Sequence, residues 1–245
     1  MHIRVSTYSN IGDRPVNEDF MLTRRVKNRL IFALADGLGG HGRGDEASKF
    51  VCQYAVDLLT KASVINDELF SSLYEQVQAA LLARQKELDA VGSMRTTLNL
   101  LVIEKGTAWW NHIGDSRTYL FENGQIVKRT FDHSVSQMMV ALGEIEETDI
   151  RFHEDRNRLL KVLGADDVRP AFESEQPVKL KAGQQFLMCS DGFWNLITEE
   201  QILLCLEEAE EPQLWLDNMS ELVNRNGSHQ DRDNITAIAV WIAND

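Results

Sequence analysis

Four short acidic segments lie beside predicted strands, where a rigid element can direct a carboxylate into a cleft. They are Asn17-Glu18-Asp19, Asp36-Gly37, Ser190-Asp191-Gly192 and Asp231-Arg232-Asp233-Asn234. Seen alone, an Asp-Gly pair after a strand is more often a turn than a site. The acidic excess of the chain can serve solubility or include cation ligands, so the position of each carboxylate must decide between the two.

The elements that would position these segments follow from periodicity. Alternating or continuously apolar runs predict strands at residues 2–9, 30–35, 98–103, 108–113, 117–121, 125–129, 184–189 and 235–241. Between residues 96 and 129 this pattern predicts one antiparallel meander, in which Asn123-Gly124 forms a hairpin turn.

Segments with helical periodicity lie between the groups of predicted strands. Long amphipathic helices are predicted from Asp45 and after an Asn66 cap. Thr198 and Gln201 predict a capping box for a shorter helix, and a further helix covers residues 214–223. Residues 134–163 are charged and of mixed period, which predicts an inserted surface subdomain rather than a core element. The whole of residues 1–245 is therefore expected to form one α+β domain.

Charge and composition exclude several classes of protein. The formal charge of −13 disfavours nucleic acid and anionic membrane surfaces as partners. No apolar run reaches the length of a membrane span, and the first ten residues lack the order of a signal peptide. Three widely spaced cysteines fit a reducing compartment and form neither a disulfide framework nor a paired-cysteine zinc site. We expect a cytoplasmic monomer.

Taken together in their order, the motifs resemble the bacterial metal-dependent Ser/Thr protein phosphatases of the PPM, or type 2C, family. The resemblance covers nearly the whole chain. It is carried by Arg14-Pro-Val-Asn-Glu-Asp19, Ala35-Asp-Gly-Leu-Gly-Gly-His41, Gly114-Asp-Ser-Arg117, Asp132-His-Ser134, Ser190-Asp-Gly192 and Asp233-Asn-Ile-Thr236.

The resemblance implies an αββα sandwich with two Mg²⁺ or Mn²⁺ ions in a cleft between the sheet edges. By position, Asp36 bridges the two ions, Asp191 and Asp233 complete the first, and the Gly37 carbonyl helps to hold the second. Asp19 acts beside them. Ligands that are all oxygen favour Mg²⁺ or Mn²⁺ over zinc. The implied reaction is attack on a phosphoserine or phosphothreonine ester by a water that both ions activate, without a covalent intermediate.

The same resemblance extends to the surroundings of the metal pair. Arg14 is expected to bind the phosphate, since a guanidinium can hold two phosphate oxygens at once. Asp115 is expected to contribute to a weaker third metal site. Residues 134–163 correspond to the flap beside the active site and are expected to tune substrate choice. Phosphoproteins and a partner Ser/Thr kinase are the implied partners.

Two histidines are left with open or minor roles. His41 lies three residues after Leu38, the position at which animal relatives place a histidine thought to be a general acid. It is therefore as consistent with ordering a loop as with donating a proton. His133 is expected to be structural.

Three other functional classes compete with this resemblance. Gly37-Leu-Gly-Gly-His-Gly42 fits a dinucleotide-binding motif, but Asp36 would set a carboxylate near the pyrophosphate, and no repeated βαβ pattern follows. A cysteine phosphatase is excluded because no cysteine has an arginine six positions later. An inactive PPM domain that serves as a binding or regulatory module is the serious alternative. Metal-dependent turnover would separate it from an enzyme.

Overall fold

In a computed structural model that describes residues 2–39, 42–165 and 170–243, two antiparallel sheets stack face to face between layers of helices. The first sheet has the order β1-β11-β10-β6-β7. These strands are β1 (His2–Asn10), β11 (Ile235–Ala243), β10 (Gln185–Cys189), β6 (Arg117–Glu122) and β7 (Gln125–Arg129). The N-terminal strand β1 pairs with β11 over its whole length.

The second sheet has the order β2-β3-β4-β5-β8. Its strands are β2 (Asp19–Val26), β3 (Arg29–Asp36), β4 (Leu98–Glu104), β5 (Thr107–Ile113) and β8 (Glu173–Ser174), and the short β9 (Val178–Lys179) also pairs with β5. In β2 and β3, Asp19 lies opposite Asp36 at the end of the hairpin.

Helices cover the outer face of each sheet. They are α1 (Gly44–Lys61), α2 (Asp67–Glu87), α3 (Val135–Leu142), α4 (Asp191–Trp194), α5 (Glu199–Glu207) and α6 (Pro212–Asn226), together with a 3₁₀ helix (Glu147–Phe152). The two predicted N-caps are confirmed. The Asn66 side chain accepts a hydrogen bond from the Leu69 amide at 2.9 Å, and Thr198 and Gln201 form the reciprocal capping box.

The period of two along each strand divides the core into three layers. In β3, Ile31 and Ala33 pack against α1 and α2, whereas Phe32 and Leu34 point between the sheets. The inner layer is completed from the first sheet by residues such as Phe186, Met188 and Val240. This is the αββα sandwich that the resemblance implied.

The predicted meander is wrong in one respect, because its four strands do not share a sheet. Strands β4 and β5 belong to the second sheet, and β6 and β7 belong to the first. The chain crosses between the sheets at residues 114–116, where Gly114 has a φ of +110°. Only glycine adopts such a backbone conformation readily, so the crossing depends on its lack of a side chain.

Strand β2 was not predicted from the sequence. It is an edge strand, and its burial pattern lacks the alternation of a half-buried strand, with Thr23, Arg24 and Arg25 exposed in succession. Exposed charge of this kind protects an edge from pairing with another chain, and it also removes the sequence signal.

The predicted insert begins and ends near the end of the sandwich at which Asp36 and Asp191 lie. A bridge between Ser134 and Leu159 closes it at its base, and Ile150 anchors it in the core of the first sheet's helical layer. Leu163 is fully buried and pairs with Thr96. Within the described ranges, no helix combines the length and the apolar character that a membrane span needs.

Candidate active site

A cleft of about 860 Å³ opens at one end of the sandwich, where strands of both sheets end. Its lining includes six residues that the sequence singled out: Arg14, Asp36, Gly37, Asp115, Asp191 and Asp233. Asp19 is buried next to it and is bonded to Ser190. The fold thus brings together all seven candidate residues, although they lie up to 219 positions apart in the chain.

Asp36 is held by backbone and side-chain hydrogen bonds at the end of β3. Its amide donates to Thr97 Oγ1 at 2.9 Å, and its carbonyl accepts from the Thr97 amide at 2.9 Å and from Thr96 Oγ1 at 2.8 Å. With its backbone fixed on both sides, the Asp36 carboxylate is free to face the cleft.

Gly37 turns the chain out of β3 where another segment passes very closely. A Cβ at this position would lie 2.2 Å from the Gly44 carbonyl oxygen, so no larger residue fits. The Gly37 amide donates to the Glu18 carbonyl at 3.0 Å. This close packing leaves the Gly37 backbone lining the cleft beside Asp36.

Asp19 carries the observation that most directly indicates a cation-binding site. Its Oδ2 accepts a hydrogen bond from Ser190 Oγ at 2.7 Å. Its Oδ1 is buried and has no hydrogen-bond partner among the described residues. A buried carboxylate oxygen without a partner is costly, and a bound cation or a water of its shell would satisfy it.

Asp191 and Asp233 are set by a close contact between two loops. Asp191 occupies the first turn of α4, directly after β10. A Cβ on Gly192 would lie 2.2 Å from the Asn234 carbonyl oxygen, so the glycine of Ser-Asp-Gly permits this contact. Asp233 precedes β11 on the facing loop, which places its carboxylate in the same cleft.

The loop that carries Arg14 is fastened to the segment before β11. Asn234 Nδ2 donates to the carbonyls of Ile11 and Val16 at 2.8 and 3.0 Å, and its Oδ1 accepts from the Glu18 amide at 2.7 Å. Three bonds from one buried amide therefore fix the path of the chain on both sides of Arg14.

The Arg14 guanidinium pairs with Asp233 through two hydrogen bonds, from Nε to Oδ1 at 3.1 Å and from Nη2 to Oδ2 at 3.0 Å. One position earlier, Asp13 forms the same kind of bidentate pair with Arg232. The Asp233 carboxylate, which raises the pKa of Arg14, keeps the guanidinium charged at the mouth of the cleft.

Asp115 lies in the crossing between the sheets. Its carbonyl accepts from Trp194 Nε1 at 3.0 Å. The Trp194 ring lies beneath the guanidinium of Arg117, which is 3.4 Å from the ring centroid and forms a buried bidentate pair with Asp132. These contacts fix the backbone that carries the Asp115 carboxylate.

Burial and mutual repulsion raise the pKa of the clustered carboxyl groups. Burial is the main cause that raises the pKa of Asp19 to about 7, and the hydrogen bond from Ser190 partly opposes this rise. Burial and then the charge of Asp233 raise the pKa of Asp191 to about 6. The pKa values of Asp36 and Asp115 rise well above the ordinary value for the same reasons. Such a cluster binds cations because positive charge offsets both costs.

Sequence reasoning omitted several residues that shape this site. Glu18 lines the cleft, and burial raises its pKa, but it was not among the candidate ligands. Ser190 and Asn234 stood in the recognised motifs without a role. Thr97 and Trp194 had no signal, since only the three-dimensional contact reveals them. His41 lies outside the described residues.

The family pattern described as Protein phosphatase 2C matches residues 8–233 of this chain. The chain belongs to the protein phosphatase 2C family. This confirms the resemblance, the predicted fold and the enzyme class, a Ser/Thr phosphoprotein phosphatase. The phosphatase is 30% identical over 221 residues to the serine/threonine phosphatase stp of Listeria welshimeri, a match that covers 87% of this chain and 84% of that protein.

A longer relative and a solved structure support the same family assignment. The phosphatase is 30% identical over 215 residues to the serine/threonine protein phosphatase PstP of Mycobacterium tuberculosis, which covers 85% of this chain but only 39% of that protein. The solved catalytic domain of PstP, in complex with two manganese ions, superposes with a TM-score of 0.81 at 28% identity over 99% of both chains.

Proposed function

We propose that the cleft hydrolyses phosphoserine and phosphothreonine in proteins with the help of two Mg²⁺ or Mn²⁺ ions. The proposed ligands are Asp36, Asp191, Asp233 and the Gly37 carbonyl, with Asp19 beside them. The observation that carries the proposal is the convergence of these groups in one cleft, together with the unpartnered buried Oδ1 of Asp19. The two manganese ions in the PstP catalytic domain support the number of ions.

The donor set fits hard divalent cations. Its side-chain ligands are carboxylates, without histidine or cysteine, and Mg²⁺ and Mn²⁺ prefer such oxygen ligands. When bound, two divalent cations supply the positive charge that polarises the phosphate ester and lowers the pKa of a water molecule. After burial, the charges of Asp19 and Asp191 raise the pKa of Asp36 most strongly, so a cation at Asp36 would offset the repulsion from both neighbours.

The other residues of the cleft bind and orient the substrate. Arg14 is proposed to hold the transferring phosphate, because its planar guanidinium lies 43% exposed at the mouth and can donate two parallel hydrogen bonds. Pro15, Val16 and Leu159 add apolar side chains to the lining of the cleft. Asp115 is proposed to contribute to a weaker third cation site.

Substrates and partners are proposed from chemistry and from the relatives. A cleft of about 860 Å³ has room for a phosphorylated side chain on an exposed segment of a protein. The proposed substrates are therefore phosphoproteins made by a Ser/Thr kinase that this phosphatase opposes. The described flap residues around Arg158 and Leu159 line the cleft, and we expect them to contribute to the choice of substrate.

The test is metal-dependent turnover of p-nitrophenyl phosphate and of a phosphothreonine peptide. We expect activity with Mn²⁺ or Mg²⁺, loss on chelation and recovery when metal is restored. Asp36→Asn, Asp191→Asn and Asp233→Asn should each remove nearly all turnover without unfolding the protein. Asp57→Asn, on an exposed pair with Arg24, is the matched control. Activity that survives complete metal removal would contradict the mechanism, and a folded protein without activity would favour the inactive module.

A further inference from the structure

His112 and His133 form a stacked pair of buried rings behind Asp115, a pair to which the reaction assigns no role. Their ring centroids lie 4.6 Å apart with planes inclined by 15°. His112 is 2% exposed to solvent and His133 is 5% exposed. Two histidines packed this deeply need a structural or functional reason, since burial disfavours their charged forms.

Each ring ties the crossing between the sheets to the segment that follows β7. His112 Nε2 lies 2.7 Å from the Phe131 carbonyl oxygen. The Gly114 amide donates to His133 Nδ1 at 3.1 Å, and the His133 amide donates back to the Gly114 carbonyl at 2.9 Å. The residue immediately before Asp115 is therefore bonded through both of its backbone groups to a single histidine.

The Gly114 backbone also packs closely against Thr97. Its φ of +110° suits glycine alone, and a Cβ there would lie 2.4 Å from Thr97 Cγ2. Thr97 is the residue whose hydroxyl accepts from the Asp36 amide. Because the Gly114 turn packs tightly against Thr97, a displacement of this turn would also displace Thr97 and the Asp36 backbone that is bonded to it.

We infer that His133 is a positioning residue that fixes the Gly114 turn through an acceptor nitrogen, and so sets where Asp115 presents its carboxylate. This inference rests on the proposed third cation site for its consequence in catalysis. The geometry of the bond is independent of that site. Neither histidine touches the substrate cleft, so neither is a catalytic residue.

The same ring links this turn to the flap. Its Nε2 lies 3.0 Å from Glu173 Oε1, which also bonds Lys161 Nζ at 3.2 Å. The His133 carbonyl accepts from the Leu160 amide at 2.7 Å. The ring and the backbone of His133 are therefore both connected to the base of the flap.

A metal site at His112, His133 and Glu173 is the competing explanation, because their ligand atoms lie within 4.8 Å of one another. The hydrogen bonds argue against it. A His133 ring that accepts at Nδ1 carries its proton on Nε2, which removes the lone pair that would face the cation.

Three substitutions of His133 test the roles of its acceptor nitrogen Nδ1 and of its other nitrogen Nε2 separately. His133→Asn keeps an oxygen near the position of Nδ1, His133→Gln keeps a polar group near that of Nε2, and His133→Leu keeps neither. His229→Gln, on an exposed histidine, is the control. Labelling the 15 glycines with ¹⁵N lets the exchange of the Gly114 amide be followed in the metal-free protein, while calorimetry follows Mn²⁺ binding.

We expect the Asn variant and the control to match the wild type. In the Gln and Leu variants, Gly114 exchange should be faster, and half-maximal phosphopeptide turnover should need about fivefold to tenfold more Mn²⁺, the factor for one ordinary hydrogen bond. The two tighter Mn²⁺ sites should persist. Gly114 exchange that is unchanged in the Leu variant would overturn the inference.

Two further results keep the test decisive. If circular dichroism shows that the Leu variant does not fold, equal behaviour of the Asn and Gln variants overturns the inference. If His133→Asn loses a bound Zn²⁺ that the wild type retains, the metal explanation replaces it. Should Asp115→Ala leave every Mn²⁺ site unchanged, the third-site proposal fails, while Gly114 exchange still decides whether His133 fixes the turn.

Discussion

Arg14 and Asp233 share two parallel hydrogen bonds of 3.1 and 3.0 Å, although 219 positions separate them. One residue is the proposed phosphate-binding group and the other a proposed metal ligand. Because both are about 40% exposed, the pair faces solvent at the mouth of the cleft, where an incoming phosphate can reach the guanidinium. The relationship places the proposed phosphate site directly beside the proposed cation site.

Arg14→Ala should weaken substrate handling by roughly 1.5 to 3 kcal/mol, the scale of a hydrogen bond to a charged group. Metal binding should persist or strengthen, since removing a positive charge favours a nearby cation. Steady-state kinetics with a phosphothreonine peptide and calorimetry with Mn²⁺ measure the two effects. Arg24→Ala, on an exposed pair with Asp57, is the control. Lost metal with unchanged phosphate affinity would make Arg14 a structural residue.

The neighbouring pair of Asp13 and Arg232 should position the loop that carries Arg14. Asp13→Asn removes one partner of a bidentate pair, so the loop gains freedom and KM should rise more than kcat falls. The double exchange Asp13→Arg with Arg232→Asp restores the attraction in reverse and should recover part of the loss. If the double variant is as impaired as the sum of both single variants, the pair has no positioning role.

The raised carboxyl pKa values predict how pH acts on the metal-free protein. A carboxyl group whose pKa is higher in the folded than in the unfolded state contributes its full stabilisation at a pH below its unfolded pKa. This contribution is lost as the pH rises through its folded pKa. With pKa values of about 7 for Asp19 and about 6 for Asp191, stability should fall between pH 5 and pH 8. Urea unfolding after chelation measures it.

Asp191→Asn separates this effect from the titration of other groups. The variant cannot carry the charge that burial opposes, so in the metal-free state it should be more stable than the wild type at pH 8, with a smaller difference at pH 5. Mn²⁺ at pH 8 should stabilise the wild type and not the variant. A difference that is equal at both pH values would show that the charge of Asp191 does not oppose folding.

Asp115→Ala should keep the two-metal site and the fold but lower phosphopeptide turnover, with the Mn²⁺ dependence shifted to higher concentration. The reason is that Asp115 is proposed to hold the third ion with few other protein ligands, so that ion should be weakly held. Calorimetry and turnover at limiting Mn²⁺ are the measurements. Unchanged binding and unchanged turnover would leave Asp115 as a turn residue.

The sequence allowed most of the fold to be predicted where periodicity and capping agree. The long helices after Asp45 and Asn66 and the turn at Asn123-Gly124 carry local signals, and the two turn residues have the positive φ that the hairpin needs. The division of four strands between two sheets was not predictable from periodicity, because it depends on one glycine conformation at position 114.

The candidate site was predicted as a set of residues but not as an arrangement. The motifs identified the carboxylates because each stands next to a strand end. They carried no information on Thr97 or Trp194, which support the site from positions that otherwise look like ordinary strand and helix residues. They also did not indicate that Arg14 pairs with Asp233, since this contact exists only once β1 and β11 are paired.

The pairing of β1 with β11 has a consequence for the protein during its own synthesis. The ribosome makes β1 early and β11 after every other strand of the domain, and β11 lies between β1 and β10. Until β11 emerges, the first sheet lacks a central strand, and Asp233 has no fixed place in the cleft. A growing chain should therefore be inactive toward phosphoproteins near the ribosome, and activity should begin only when the domain is complete.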